Sequence, residues 1–168
     1  MGRQEPGAAR AVRPGHQRRE APASPARAPR RLHRVTVNDA DSVWILVQDF
    51  AGTFAPKQEP FDRTFRSLLQ TPQTLILVAE QRDGSVVGYL LAHCRATFLA
   101  NGPTAWVEEV MVAEQVRRQG VGQALMTESE TWAREQGAAY ISLASRRAGE
   151  FYRALTYEDA ATFFKKSL

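Results

Sequence analysis

The stretch Val116-Arg117-Arg118-Gln119-Gly120-Val121-Gly122-Gln123-Ala124-Leu125 decides how the rest of the chain is read. An apolar run from Trp106 to Val112 leads into it and carries two glutamates, Glu108 and Glu109. A helical pattern from Val121 to about Gln136 follows. The order is strand, polar loop with paired arginines, Gly-x-Gly, helix. Two glycines let the backbone turn tightly and approach a ligand with no Cβ in the way. The first turn of a helix leaves N–H groups unpaired, and its dipole favours an anion there. Those amides, with Arg117 and Arg118, make a candidate pyrophosphate cradle. A plain helix start uses the same residues, so the context must decide.

Two phosphate motifs can be tested against this loop. The nucleotide P-loop needs Gly-Lys-Ser/Thr, but Gly122 is followed by Gln123 and Ala124. The dinucleotide fingerprint needs a third glycine where Leu125 stands. Both patterns fail.

Composition bounds what surrounds the loop. A chain of 168 residues carries one domain with a proper core. No apolar run approaches the roughly 20 residues of a membrane span, and the N-terminus has no apolar core of a secretory signal. A single cysteine, Cys94, excludes an internal disulfide and a cysteine metal cluster, and suits a reducing cytoplasm. The net charge of +4 is unevenly distributed. Residues 1–31 hold eight arginines and two glutamates, leaving 14 basic and 16 acidic residues elsewhere. That Arg/Pro/Ala-rich segment cannot bury enough apolar surface to offset its ordering entropy and reads as a disordered tail. The basic balance belongs to the tail, so a nucleic-acid partner is not indicated for the folded part, 32–168.

Moving outward from the loop, Leu32–Val37 predicts a strand, and Asp41–Phe50 and Phe61–Gln70 predict helices separated by a proline-containing loop. Thr74–Glu80 predicts a buried strand, and Arg82-Asp83-Gly84 a hairpin turn into a strand over Ser85–Phe98. Asn101-Gly102-Pro103 turns into Thr104–Val112, the strand that feeds the loop. After the helix, Gly137 suits its C-terminal end. A strand over Ala139–Ala144, a helix over Arg146–Leu155 and a last strand over Ala160–Lys165 complete the chain. Hairpins followed by strand–helix–strand alternation imply a mixed sheet with helices on both faces.

Glu108 and Glu109 are the only acidic pair in an otherwise apolar strand. A carboxylate beside an amine can accept its proton. Neighbours on a strand point to opposite faces, so the two cannot share one role unless the strand is bulged. His93 and Cys94 are adjacent for the same reason and do not form a nucleophile pair.

The remaining pattern, Arg117-x-x-Gly120-x-Gly122, resembles the acetyl-CoA loop of the GNAT acyltransferases. Val107-Glu108-Glu109-Val110-Met111-Val112 is similar to that family's fourth strand, and Phe151-Tyr152-Arg153-Ala154-Leu155 to its Phe-Tyr-x-x-Leu helix. The resemblance runs from about Arg34 to Lys166. It implies an α/β (α+β) fold whose central mixed sheet is splayed between its fourth and fifth strands, with helices on both faces. It implies acetyl-CoA as acyl donor, no metal, and direct attack by a primary amine of a small molecule or peptide. Glu109 then serves as general base and Glu108 orients a cationic amine, although either acidic position can serve in the family. Tyr152 matches the tyrosine that protonates the departing thiolate. Backbone groups of Val110, Met111 and Val112 would pair with pantetheine. Arg117, Arg118, Gln119, Gly120, Val121, Gly122, Gln123 and Ala124 would hold the pyrophosphate. Ser145 stands where many relatives carry a cofactor-bonding Asn, and Thr156 where a Gly is usual. Acceptor choice in such a fold falls to Phe50–Phe61, with Phe54, Lys57 and Glu59.

Two other readings stay open at this point. One is an acyl-CoA-binding regulatory module without catalysis. The other is a nucleic-acid-associated protein whose basic tail does the binding. The sequence leaves the oligomeric state open, a homodimer included.

Overall fold

The computed structural model of the chain describes residues 31–51 and 55–167. The basic tail, except Arg31, and Phe54 lie outside them. Among the described residues five strands form one sheet in the order β1-β2-β3-β4-β5, with four helices interspersed.

The sheet grows outward from two buried strands. β2, Thr74–Glu80, is an unbroken apolar run and is buried from Thr74 through Ala79. A strand covered on both faces needs such a run. β3, Val86–Arg95, pairs antiparallel with β2 and with β4, Thr104–Val112. β1, Arg31–Arg34, lies antiparallel on the other edge of β2. β5, Ile141–Leu143, runs parallel to β4. Parallel pairing needs a crossover, which the long helix α3, Val121–Glu135, supplies.

The two faces are covered by different helices. α1, Ala40–Phe50, and α2, Gln58–Leu69, pack on the face that carries Tyr89 and Leu91. α3 packs on the other face, where Val121 and Leu125 close over Gly88. α4, Gly149–Ala154, lies against the start of α3, with Phe151 beside Gly122. The layers of this α/β fold are those expected from the alternation of elements.

Several boundaries differ from the sequence reading, each for a local reason. α2 begins at Gln58, before Pro60. Pro60 occupies the first turn, where a missing N–H costs nothing, and the first helical bond comes from Phe61 to Lys57. β3 stops at Arg95, short of Phe98, where the chain bends toward the next turn. α4 begins at Gly149 because Ser145 Oγ accepts the Ala148 amide at 3.1 Å and holds a turn ahead of it. The expected strand over 160–165 is not formed. That stretch pairs with no strand among the described residues, and it carries Phe163 and Phe164. Both are exposed.

Candidate active site

β4 breaks its own alternation at the glutamates. Trp106 faces His93, and Glu109 faces Leu91. Both partners lie on one face of β3, yet Trp106 and Glu109 are an odd number of residues apart. Glu108 is the inserted residue, and the register shifts there. A bulge of this kind turns two successive side chains toward the same face. Glu108 is exposed and Glu109 half-buried. The strand is therefore bulged at the glutamates.

The same place ends the β4–β5 pairing. Ala105, Trp106 and Val107 pair with Ile141, Ser142 and Leu143. From Glu108 onward β4 has β3 on one side and no β5 partner on the other. Alternation then sorts the backbone groups. The Ala113 amide bonds to Val87 O at 2.9 Å, so Ala113 and Met111 turn toward β3. Val110 and Val112 turn toward the splay. Arg117 Nε reaches that side and donates to Val112 O at 3.1 Å. Met111 does not join the open edge as expected from sequence, because its side chain is buried and its backbone groups belong to the β3 ladder.

The loop after β4 has the features an anion cradle needs. A 3-10 turn over Glu114–Val116 leads to Arg117. Arg118 and Gly120 both have left-handed backbones, with φ of 61° and 82°. The first full turn of α3 closes with the Ala124 amide on Gly120 O, at 2.9 Å. The amides of Val121, Gly122 and Gln123 precede it and have no helical acceptor. A Cβ on Gly120 would meet nothing within 4 Å, so the backbone there faces open space. Arg117 and Arg118 are exposed beside it. This donor set fits a pyrophosphate. Gln119 is tied back to Gln115 O through its side-chain amide at 3.2 Å.

Glu109 has a partner that sequence alone did not single out. The hydroxyl of Tyr89 donates to Glu109 Oε2 at 2.7 Å. Tyr89 is buried. Burial first, then the adjacent Glu109 charge and the bond to it, push its hydroxyl far above the usual tyrosine value. It therefore stays protonated and donates. Its alternation in β3 was visible in the sequence. Its pairing with a residue twenty positions on required the register of the bulge.

Glu109 and Tyr89 help line a cleft of about 100 Å³ between α1, α2 and the sheet. Val43, Val47, Phe61, Thr64, Phe65, Leu68, Ile76 and Leu91 form the rest of its lining. Trp44, Phe61 and Phe65 stack in sequence, with ring centroids 5.1 and 5.5 Å apart. Leu68 and Ile76 also border a larger depression of about 310 Å³, which extends to Arg34 and Pro72 and contains no carboxylate. The smaller cleft is the one with chemistry. Lys57 and Glu59 flank the start of α2 and are exposed, outside its lining.

Tyr152 sits on α4, half-buried between Phe151 and Tyr157, with ring centroids 5.0 and 5.9 Å away. Burial raises its hydroxyl above the usual value. Ser145 is exposed, and its Oγ already accepts the Ala148 amide. Cys94 is buried, and burial pushes its thiol up, away from the reactive thiolate.

Known proteins place this arrangement. A curated relative, aminoglycoside N(6')-acetyltransferase type 1 of Serratia marcescens, is 25% identical over 124 residues, covering 67% of this chain and 85% of the relative. A solved structure described as a transcriptional regulator from Bacillus halodurans C-125 superposes with a TM-score of 0.75 at 19% identity, over 82% of this chain and 99% of that one. Glucosamine-6-phosphate N-acetyltransferase from Arabidopsis thaliana superposes with a TM-score of 0.73 at 19% identity, over 82% of this chain and 97% of that one. Residues 41–157, from the start of α1 to the tyrosine packed on α4, match the acetyltransferase (GNAT) family, and the chain belongs to it.

Proposed function

We propose that the chain is an N-acetyltransferase that moves an acetyl group from acetyl-CoA to a primary amine by direct attack. The observation that carries this reading is the Tyr89–Glu109 hydrogen-bonded pair, in the lining of a cleft and at the start of the splay between β4 and β5. A module that only bound an acyl-CoA would have no need of an oriented carboxylate there.

Acetyl-CoA, when bound, supplies an acyl group activated as a thioester. The amides at the start of α3, with Arg117 and Arg118, would hold its pyrophosphate. The backbone groups of Val110 and Val112 would pair with its pantetheine as an added strand does. Glu109 takes the proton that an ammonium must lose before its nitrogen can attack, and Tyr89 fixes the carboxylate for that task. Glu108, exposed on the same bulge, attracts the cationic amine. Tyr152 keeps its proton at neutral pH and can give it to the departing sulfur. No covalent enzyme intermediate is required, since the buried Cys94 is not positioned as a nucleophile.

The test is a CoA-release assay on three variants. Glu109→Gln should lower kcat by about 100-fold or more and flatten the rise of rate with pH. Loss of activity in Glu108→Gln, with Glu109→Gln unimpaired, would transfer the base role to Glu108. Arg117→Ala combined with Arg118→Ala should weaken acetyl-CoA binding severalfold, and unchanged affinity would remove the pyrophosphate assignment.

A further inference from the structure

We infer that the acceptor is a small primary amine bearing one compact apolar group, aryl or branched alkyl, and not a polyhydroxylated or polycationic amine. This rests on the acetyltransferase reading above.

Charge sets the first limit. Among the described residues, Glu109 is the only charged side chain in the cleft lining, and Glu108 stands exposed outside it, so within the cleft one ammonium finds a partner. The other polar side chains there are Tyr89 and Thr64. Tyr89 already donates its proton to Glu109. A second or third ammonium on the same molecule would enter the cleft without a counter-charge and lose its hydration.

The walls set the second limit. Val47, Phe61, Leu68 and Leu91 present carbon. A sugar or aminocyclitol ring pressed on them would strip its hydroxyls of water and return no hydrogen bonds. A phenyl or isobutyl group makes the opposite exchange, gaining by leaving water. Phe61, tilted between Trp44 and Phe65, gives an aryl group a ring to pack on.

Size sets the third. The cleft holds about 100 Å³, whereas sites for drug-sized ligands run from roughly 300 Å³ upward. One ring or one branched chain is seated, with its ammonium at Glu109. The aminoglycoside acetyltransferase that this chain resembles at 25% identity is thus a relative in fold and donor, and a poor guide to the acceptor.

The experiment follows thiol release from acetyl-CoA with 2-phenylethylamine, isopentylamine, kanamycin and spermidine, and measures acetyl-CoA binding by calorimetry alongside. The kcat/KM for the two apolar amines should exceed that for kanamycin and spermidine by about tenfold or more. Val47→Thr keeps the wall's shape but adds a hydroxyl. It should lower kcat/KM for 2-phenylethylamine severalfold and leave acetyl-CoA affinity unchanged. Preferred turnover of kanamycin or spermidine would overturn the apolar-acceptor inference and leave the acetyltransferase reading standing. Bound acetyl-CoA with no amine acetylated would overturn both.

Discussion

Thr156 carries a left-handed backbone, with φ of 68°. A β-branched side chain there is strained, because its Cβ crowds the neighbouring carbonyl. The reason it persists is visible in a comparison within the molecule. α3 ends with the Gly137 amide on Arg134 O and the Ala138 amide on Ala133 O, both at 2.9 Å. α4 ends with the Thr156 amide on Arg153 O at 2.9 Å and the Tyr157 amide on Tyr152 O at 3.0 Å. These are the same two closing bonds. In α3 the left-handed position is a glycine, with φ of 69°, and in α4 it is a threonine. Tyr157, packed on Tyr152 and donating to Glu130 at 3.1 Å, holds the strained turn closed. Thr156→Gly should therefore stabilise the fold by about 1 kcal/mol, strain relief less the added chain entropy. Gly137→Thr should destabilise it by a similar amount. Urea unfolding at unchanged slope measures both, and equal midpoints in wild type and Thr156→Gly would show that the strain is absorbed elsewhere.

Between elements, the decisive contact joins the start of α3 to α4. A Cβ on Gly122 would come within 3.2 Å of Phe151 Cζ. The glycine thus lets α4, with Tyr152 on it, approach the start of α3 closely. Gly122→Val should push α4 outward and reduce kcat about tenfold or more, while unfolding free energy falls by only about 1–3 kcal/mol. A variant with wild-type kcat would disconnect the position of α4 from catalysis. Elements punctuated by turn residues were legible in the sequence. Thr74–Glu80 and Thr104–Val112 match the observed strands residue for residue, because Pro72 and Gly102-Pro103 mark where they begin. The left-handed turn into α3 was legible for a similar reason, since Gly120 acts locally. The bulge was not, because the insertion of Glu108 exists only relative to β3. For the same reason Met111 was assigned to an edge that its register denies it, and Tyr89 went unnoticed as the partner of Glu109. The strand expected over 160–165 did not form, because propensity is local while a strand also needs a partner, and no described strand pairs with that stretch.

At the scale of the whole molecule, titration at both pH extremes follows from where the hydroxyls and carboxylates sit. Burial raises the hydroxyls of Tyr89, Tyr152 and Tyr157, and the charges of Glu109 and Glu130 raise Tyr89 and Tyr157 further. Below about pH 10 these tyrosines are protonated in both folded and unfolded chains, so their contribution is complete. Above it the unfolded chain loses protons that the folded chain keeps, and stability falls as pH continues to rise. Asp39 behaves oppositely. Burial works against its charge, but the Thr36 amide and hydroxyl, at 2.7 and 2.8 Å, and the His33 charge outweigh it and lower its pKa. Its contribution is present above the ordinary value of 3.8 and is lost as pH falls below that. Thermal midpoints should hold level between these limits and drop beyond pH 10, and in a Tyr140→Phe variant, which lacks the exposed tyrosine, phenolate absorbance should rise together with loss of the native circular-dichroism signal. Phenolate absorbance appearing in a still-native chain of that variant would contradict the burial of these hydroxyls. The gap between β4 and β5 gives the molecule a further property, readable in deuterium. Val110 and Val112 turn their amides into the gap, whereas Met111 and Ala113 lock theirs into the β3 ladder. A strand in the middle of a sheet should therefore exchange on two clocks, fast and slow at alternate residues, and a molecule seated in the gap should merge them into one.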